Sequence, residues 1–195
     1  MKQTKLKGVI CSVVAVIGLI AGSAVPLTST QPVGQVTIDS IEQGTLTISP
    51  VGLAMIGDAE GCRQAPYSCP AGLITNGIGN THGVPDAAIS LEQVAKDFTT
   101  NIIEAERCLL RDIPPDNPLT QGQHDAFTSF VFNLGCQRYR HNRNGSETSI
   151  YKLIKQGDYH QACHQLPRWV YSGGERLTGL VTRRANEYAL CVGSG

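Results

Sequence analysis

Glu60 closes an apolar run, SPVGLAMIGDAE, and is followed by a polar, glycine-rich stretch holding Cys69, Thr75 and Gly77-Ile78-Gly79. A carboxylic acid at the end of an apolar helix is placed to protonate a leaving group as a general acid. An arbitrary glutamate at a helix end is more often simply solvated, so the assignment depends on its surroundings. The other reactive side chains are the cysteines. There are seven, an odd number, so in an oxidising compartment six can pair and one is free, exchangeable or catalytic. Cys62 and Cys69 lie seven positions apart and flank the turn after Glu60. A bridge between them would consume the Cys69 thiol. Cys108, Cys136, Cys163 and Cys191 read as two structural disulfides with three pairings open. No CxxC or HExxH spacing occurs, and His82, His124, His141, His160 and His164 are scattered. No metal and no cofactor is therefore expected, and each histidine reads as a surface or hydrogen-bonding residue.

These residues need a scaffold, and the composition bounds it. The chain has 195 residues, 41% hydrophobic, 16% charged and 6% aromatic, with 16 basic against 16 acidic side chains. That length suits one globular unit with appendages, and the charge balance argues against a nucleic-acid binder, which needs a basic face. Lys2, Lys5 and Lys7 precede an uncharged apolar stretch, Gly8 to Val25, which reads as an export signal. Its 18 residues are just enough to span a bilayer with the N-terminus cytoplasmic. The stretch is rich in Gly, Ala and Ser, so two readings stand: cleavage at Gly22-Ser23-Ala24, or an anchor that stays attached and later leaves the membrane. Cys11 sits inside the apolar run rather than after it, which argues against a lipoprotein anchor. The expected organisation is a transmembrane segment over 1–26, a linker over 27–49 with a short hairpin about Gln43-Gly44, and a catalytic domain over 50–195.

Within that domain Ser49-Pro50 reads as an N-cap and first helical turn, with the helix ending at Gly61. Residues 63 to 83 suggest a small irregular sheet with a turn at Asn76-Gly77. Ser90 opens a helix to about Arg111 with Val94, Phe98, Ile102, Ala105 and Leu109 on one stripe. Thr120-Gln-Gly-Gln123 opens another to Leu134, and shorter helices are expected at about 147–156, 158–165 and 180–191, with a turn at Gly173-Gly174. The fold class is α+β, mostly helical with one small antiparallel sheet.

Cys69 and Thr75 follow Glu60 by nine and fifteen positions, and this pattern resembles the catalytic signature of the phage-type lysozymes of glycoside hydrolase family 24. AEGCR at 59–63, TNGIGNTHG at 75–83, AFTSFVFNLGC at 126–136 and GLVTRRANEYALC at 179–191 resemble family motifs in family order. Within the family the chain resembles endolysins with a signal-anchor-release segment and a cysteine at the second catalytic position. The resemblance implies a lysozyme-like fold and a hydrolase that cuts the β-1,4 bond between N-acetylmuramic acid and N-acetylglucosamine in peptidoglycan, causing host lysis. Glu60 would protonate the glycosidic oxygen, Cys69 would take the second-carboxylate position, and Thr75 would hydrogen-bond the attacking water. An ordinary thiol, with a pKa of about 8.5, is mostly uncharged at neutral pH, so the role of Cys69 as a base is the weaker assignment. The Glu60 to Cys69 separation decides between inversion and retention. Asn80 stands where many relatives have His, so no histidine ion pair is expected there. Arg183-Arg184 reads as a solvated helix face, with contact to substrate carboxylates as the other reading; Asn133 suits a cleft residue or a buried cap equally.

The cysteines then suggest a switch. A Cys62 to Cys69 bridge keeps the enzyme off, and Cys11 is hidden in the bilayer. Once the span leaves the membrane, Cys11 attacks that bridge, captures Cys62 and frees Cys69. Cysteine-type members of the family are understood to be controlled in this way. The expected partners are peptidoglycan and the inner membrane, with the chain acting as a monomer released into the periplasm. A lytic transglycosylase using Glu60 alone, or a non-catalytic wall-binding module, remain as rivals.

Overall fold

The computed structural model describes residues 10–68 and 72–193. The chain begins with helix α1 (Val13–Ala21), strands β1 (Gly34–Ile38) and β2 (Ile41–Leu46), helix α2 (Pro50–Glu60), and strands β3 (Arg63–Ser68) and β4 (Ile74–Gly77). Helices α3 (Leu91–Leu110), α4 (Gln121–Leu134), α5 (Cys136–Arg140), α6 (Ser149–Lys155) and α7 (Tyr159–Cys163) follow, then strands β5 (Tyr171–Ser172) and β6 (Glu175–Arg176) and helix α8 (Thr178–Val192). The described residues form three two-stranded antiparallel sheets where one was expected.

Two apolar clusters organise these elements, and α3 passes through both. Its N-terminal half places Phe98 and Ile102 among residues of α1, α2 and the first hairpin. Its C-terminal half places Leu109 beside Phe127, Phe130 and Tyr139. Local caps set the helix starts: Ser49, Ser90 and Thr120 accept hydrogen bonds from Gly52, Gln93 and Gln123 amides, and Thr120 with Gln123 makes a reciprocal capping box. Disulfides tie α3 to α5 through Cys108–Cys136 and α7 to α8 through Cys163–Cys191.

The N-terminal segment departs from expectation. No helix of the described residues is long and apolar enough to cross a membrane. Helix α1 has nine residues, about 14 Å at the usual rise, against a hydrocarbon core of about 30 Å. Ser12 caps its start, Gly22 ends it with a positive φ of 88°, and Val16, Ile17 and Ile20 are buried against protein. The physical reason is that a protein core accepts the same side chains as lipid does, provided the helix is short enough to lie within it. The stretch expected as a linker also joins this core, through Val36, Ile38, Leu46 and Ile48. Its hairpin turns at Asp39-Ser40, both with positive φ, and Ile38 pairs directly with Ile41. Gly44 lies past the turn, packed so closely that a Cβ there would come within 2.8 Å of Ile103 Cδ1.

Helix α1 lies on α2 at Gly57. A Cβ at Gly57 would come within 2.3 Å of Val13 Cγ1. Alanine in place of a helical glycine favours the helix by about 1 kcal/mol, whereas overpacking this contact costs about 1–3 kcal/mol. Gly57→Ala should therefore fail to give the usual gain and should lower stability, and Val13→Ala on top of it should restore the loss. Denaturant unfolding of the four members of this cycle checks it. Additivity within about 0.5 kcal/mol would show that the two residues do not meet.

Candidate active site

Helix α2 carries Glu60 at its last position, and both of its ends are fixed. At the start, Asp125 of α4 accepts from the Ser49 amide at 3.0 Å and from the Ser49 hydroxyl. Glu106 of α3 accepts from the amides of Thr47 and Ile48 at 2.9 and 2.5 Å. Burial pushes the Glu106 carboxyl above the ordinary carboxylate range, with His124 and these hydrogen bonds pulling the other way. His124 closes the group, its Nε2 3.0 Å from Thr47 Oγ1. At the far end Gly61, with a φ of 70°, reverses the chain into β3 as its amide bonds to Gly57 O at 2.8 Å.

Two elements hold the Glu60 carboxylate. Arg183 of α8 donates from Nη1 to Glu60 Oε1 at 2.5 Å. The other oxygen faces the Gly77-Ile78-Gly79 turn, where a Cβ on Gly79 would stand 3.1 Å from Oε2. Gly79 also has a φ of 66°, so glycine answers both the backbone and the close approach. The turn is closed by paired backbone bonds between Asn76 and Asn80, each 3.0 Å. The Asn80 side chain donates to Asn76 Oδ1 at 2.9 Å and accepts from Asn101 of α3 at 3.3 Å, a neutral amide arrangement. The turn expected at Asn76-Gly77 is therefore a three-residue loop one position further on.

Arg183 and Arg184 correct the reading of a solvated face, since both are buried. Arg183 donates through Nε to Glu187 Oε1 at 3.1 Å and through Nη2 to Ser129 O at 3.0 Å. Arg184 donates to Glu187 Oε2 and to Asn133 Oδ1, and its guanidinium lies 4.7 Å from the centre of the Phe130 ring. Burial pulls the Arg184 guanidinium down, with Glu187 opposing. The buried ions thus compensate one another, as charges removed from water must. Sequence reading missed the link from Arg183 to Glu60. The available signal was Glu187, four positions after Arg183 and spaced to pair with it along a helix.

A cavity of about 190 Å³ opens beside the turn, lined by Gly79, Thr81, His82, Asn101, Glu104 and Phe132 and by the Cys108–Cys136 bridge. A longer groove of about 790 Å³ runs between α2 and α8 with Arg183 in its wall. Thr75, on β4 opposite Tyr67, is buried and donates to Leu73 O at 3.2 Å. Cys69 lies outside the described residues. Cys62, which directly follows Glu60-Gly61, is bonded to Cys11 with their Cα atoms 5.1 Å apart. The Cys11 amide donates to Cys62 O at 3.2 Å and Ile10 pairs with Arg63, so the N-terminal segment extends the edge of β3.

This is a lysozyme-like architecture, with an acidic helix end set against a glycine turn. The chain belongs to the phage lysozyme family, which matches residues 57–187. It is similar to the SAR-endolysin of Escherichia phage P1, with 42% identity over 159 residues, 76% of this chain and 83% of that protein. The SAR-endolysin of Haemophilus phage HP1 is 40% identical over 152 residues, 75% of this chain and 81% of its own length. Among solved structures, the active form of the P1 phage endolysin Lyz superposes with a TM-score of 0.73 at 36% identity, covering 94% of this chain and 95% of that one.

Proposed function

We propose that this chain is a signal-anchor-release endolysin, a muramidase that hydrolyses the β-1,4 bond between N-acetylmuramic acid and N-acetylglucosamine and so lyses the host cell. The observation that carries this reading is the Glu60 carboxylate, held on one oxygen by Arg183 and laid with the other against Gly79, which itself lines the neighbouring cavity. Oε1 is occupied as an acceptor, which leaves Oε2 as the oxygen through which Glu60 acts on the glycosidic oxygen. As that bond breaks, positive charge grows on the sugar and water attacks its far face. Thr75 can accept from that water while its own proton goes to Leu73 O. Cys69 takes the second catalytic position, as the thiol or thiolate that orients the water or faces the charged sugar.

Residues 1–26 serve first as an inner-membrane anchor, residues 27–49 join it to the catalytic part at 50–195, and the released monomer works in the periplasm. In the tethered state Cys62 is bridged to Cys69; after release Cys11 takes Cys62. The Cys11–Cys62 bond and the packing of α1 in the core support this order, as does the likeness to SAR-endolysins. Cleavage after Ala24 would remove the buried Val16, Ile17 and Ile20, so the segment stays intact on release. The test is product analysis of digested peptidoglycan. Hydrolysis yields new reducing N-acetylmuramic acid ends. Anhydro sugar ends would make the protein a transglycosylase, and binding without sugar release would make it a wall-binding module.

A further inference from the structure

We propose that His160 and His164 form a binding site for a divalent transition-metal ion of the zinc and nickel type. Helix α7 is short, but its helical geometry continues through His164, with φ −66° and ψ −11°. The His164 amide returns to His160 O at 3.4 Å. The two imidazoles are therefore one turn apart on the same face, with ring centres 4.7 Å apart and planes at 70°, and both residues are exposed. Neutral imidazole suits ions of this class better than hard cations.

One of the two rings is already oriented. His164 Nδ1 lies 3.3 Å from the hydroxyl oxygen of Tyr188 on α8. In the tautomer protonated at Nδ1, that nitrogen donates to the phenol and Nε2 keeps its lone pair for a metal, the arrangement in which an outer partner fixes a ligating histidine. Cys163, between the two histidines, is bonded to Cys191 of α8, so α7 cannot turn away from Tyr188. No group of three His, Cys, Asp or Glu side chains among the described residues could hold a metal, so this is a two-imidazole site whose remaining positions go to water. The sequence signal for the pair is two histidines four positions apart, a spacing outside the CxxC and HExxH patterns.

The experiment is calorimetric titration of the purified full chain with zinc chloride and, separately, nickel chloride, after blocking the Cys69 thiol with iodoacetamide. One ion should bind per chain. His160→Gln and His164→Gln should each abolish saturable binding, and Tyr188→Phe should weaken it about tenfold by releasing the orientation of His164. Metal should also raise the thermal midpoint of the parent but not of the histidine variants, whose midpoints without metal should match the parent because both side chains are exposed. Absence of saturable binding by the parent overturns the proposal, as does binding of unchanged strength in either histidine variant.

Discussion

Glu60→Gln is expected to lower the rate of peptidoglycan hydrolysis by about 10²- to 10⁴-fold, the range supplied by a positioned general acid, with the fold intact. Glutamine keeps a side-chain oxygen that can accept from Arg183 Nη1, so the guanidinium is not left without a partner. It carries no transferable proton of the required acidity. The substitution also unbalances the local charge: Arg183 and Arg184 face Glu60 and Glu187, and one negative charge is lost. The Glu60 side chain is 23% exposed while Arg183 is buried, so the retained hydrogen bond and the remaining ion pair of Arg183 with Glu187 should keep the variant folded, with some loss of stability. Turnover of purified peptidoglycan and the urea midpoint should therefore separate widely. A variant that hydrolyses at the parental rate removes Glu60 from the mechanism. One that is inactive only because it unfolds would show that the Glu60–Arg183 ion pair holds the fold, contrary to the expectation of an intact variant.

The parts of this architecture that sequence made legible are those with local causes. Ser49-Pro50, Ser90 and Thr120 start helices because each supplies an oxygen to an amide three residues ahead, a pattern visible in any short window. Gly173-Gly174 turns where expected because nothing distant competes with its positive φ. The hairpin turn fell at Asp39-Ser40 rather than at Gly44 because packing against Ile103 fixes Gly44 elsewhere, and that contact lies 59 residues away. Arg183 and Arg184 read as solvated because the one local cue, Glu187 four positions after Arg183, marks an ion pair and not its burial. Their compensation comes partly from Glu60, 123 residues earlier. The apolar N-terminal run is a different case: Val16, Ile17 and Ile20 are equally at home in lipid and in a core, so their sequence does not choose between the two, and the fold shows them in a core.

Cys11→Ser is expected to leave the exported protein without lytic activity until a reductant is added. The reason lies in what drives the exchange. Bridging Cys11 to Cys62 closes a separation of 51 residues, against seven for Cys62 to Cys69. On chain entropy alone the longer closure is less favourable by about 1.8 kcal/mol. Burying Val16, Ile17 and Ile20 of α1 contributes about 1.5–3 kcal/mol each once the segment has left lipid for water, which exceeds that cost. On the proposed switch, docking of α1 would therefore drive the exchange, and Cys11, whose amide also bonds to Cys62 O, would be the sulfur that docking delivers. Serine at position 11 can dock but cannot attack, so Cys62 keeps Cys69. Non-reducing peptide mapping of the released variant should recover a Cys62 to Cys69 peptide, and dithiothreitol should restore lysis by freeing both thiols. Full lytic activity in the unreduced variant would show that Cys69 is available without Cys11 and would remove the switch from the account.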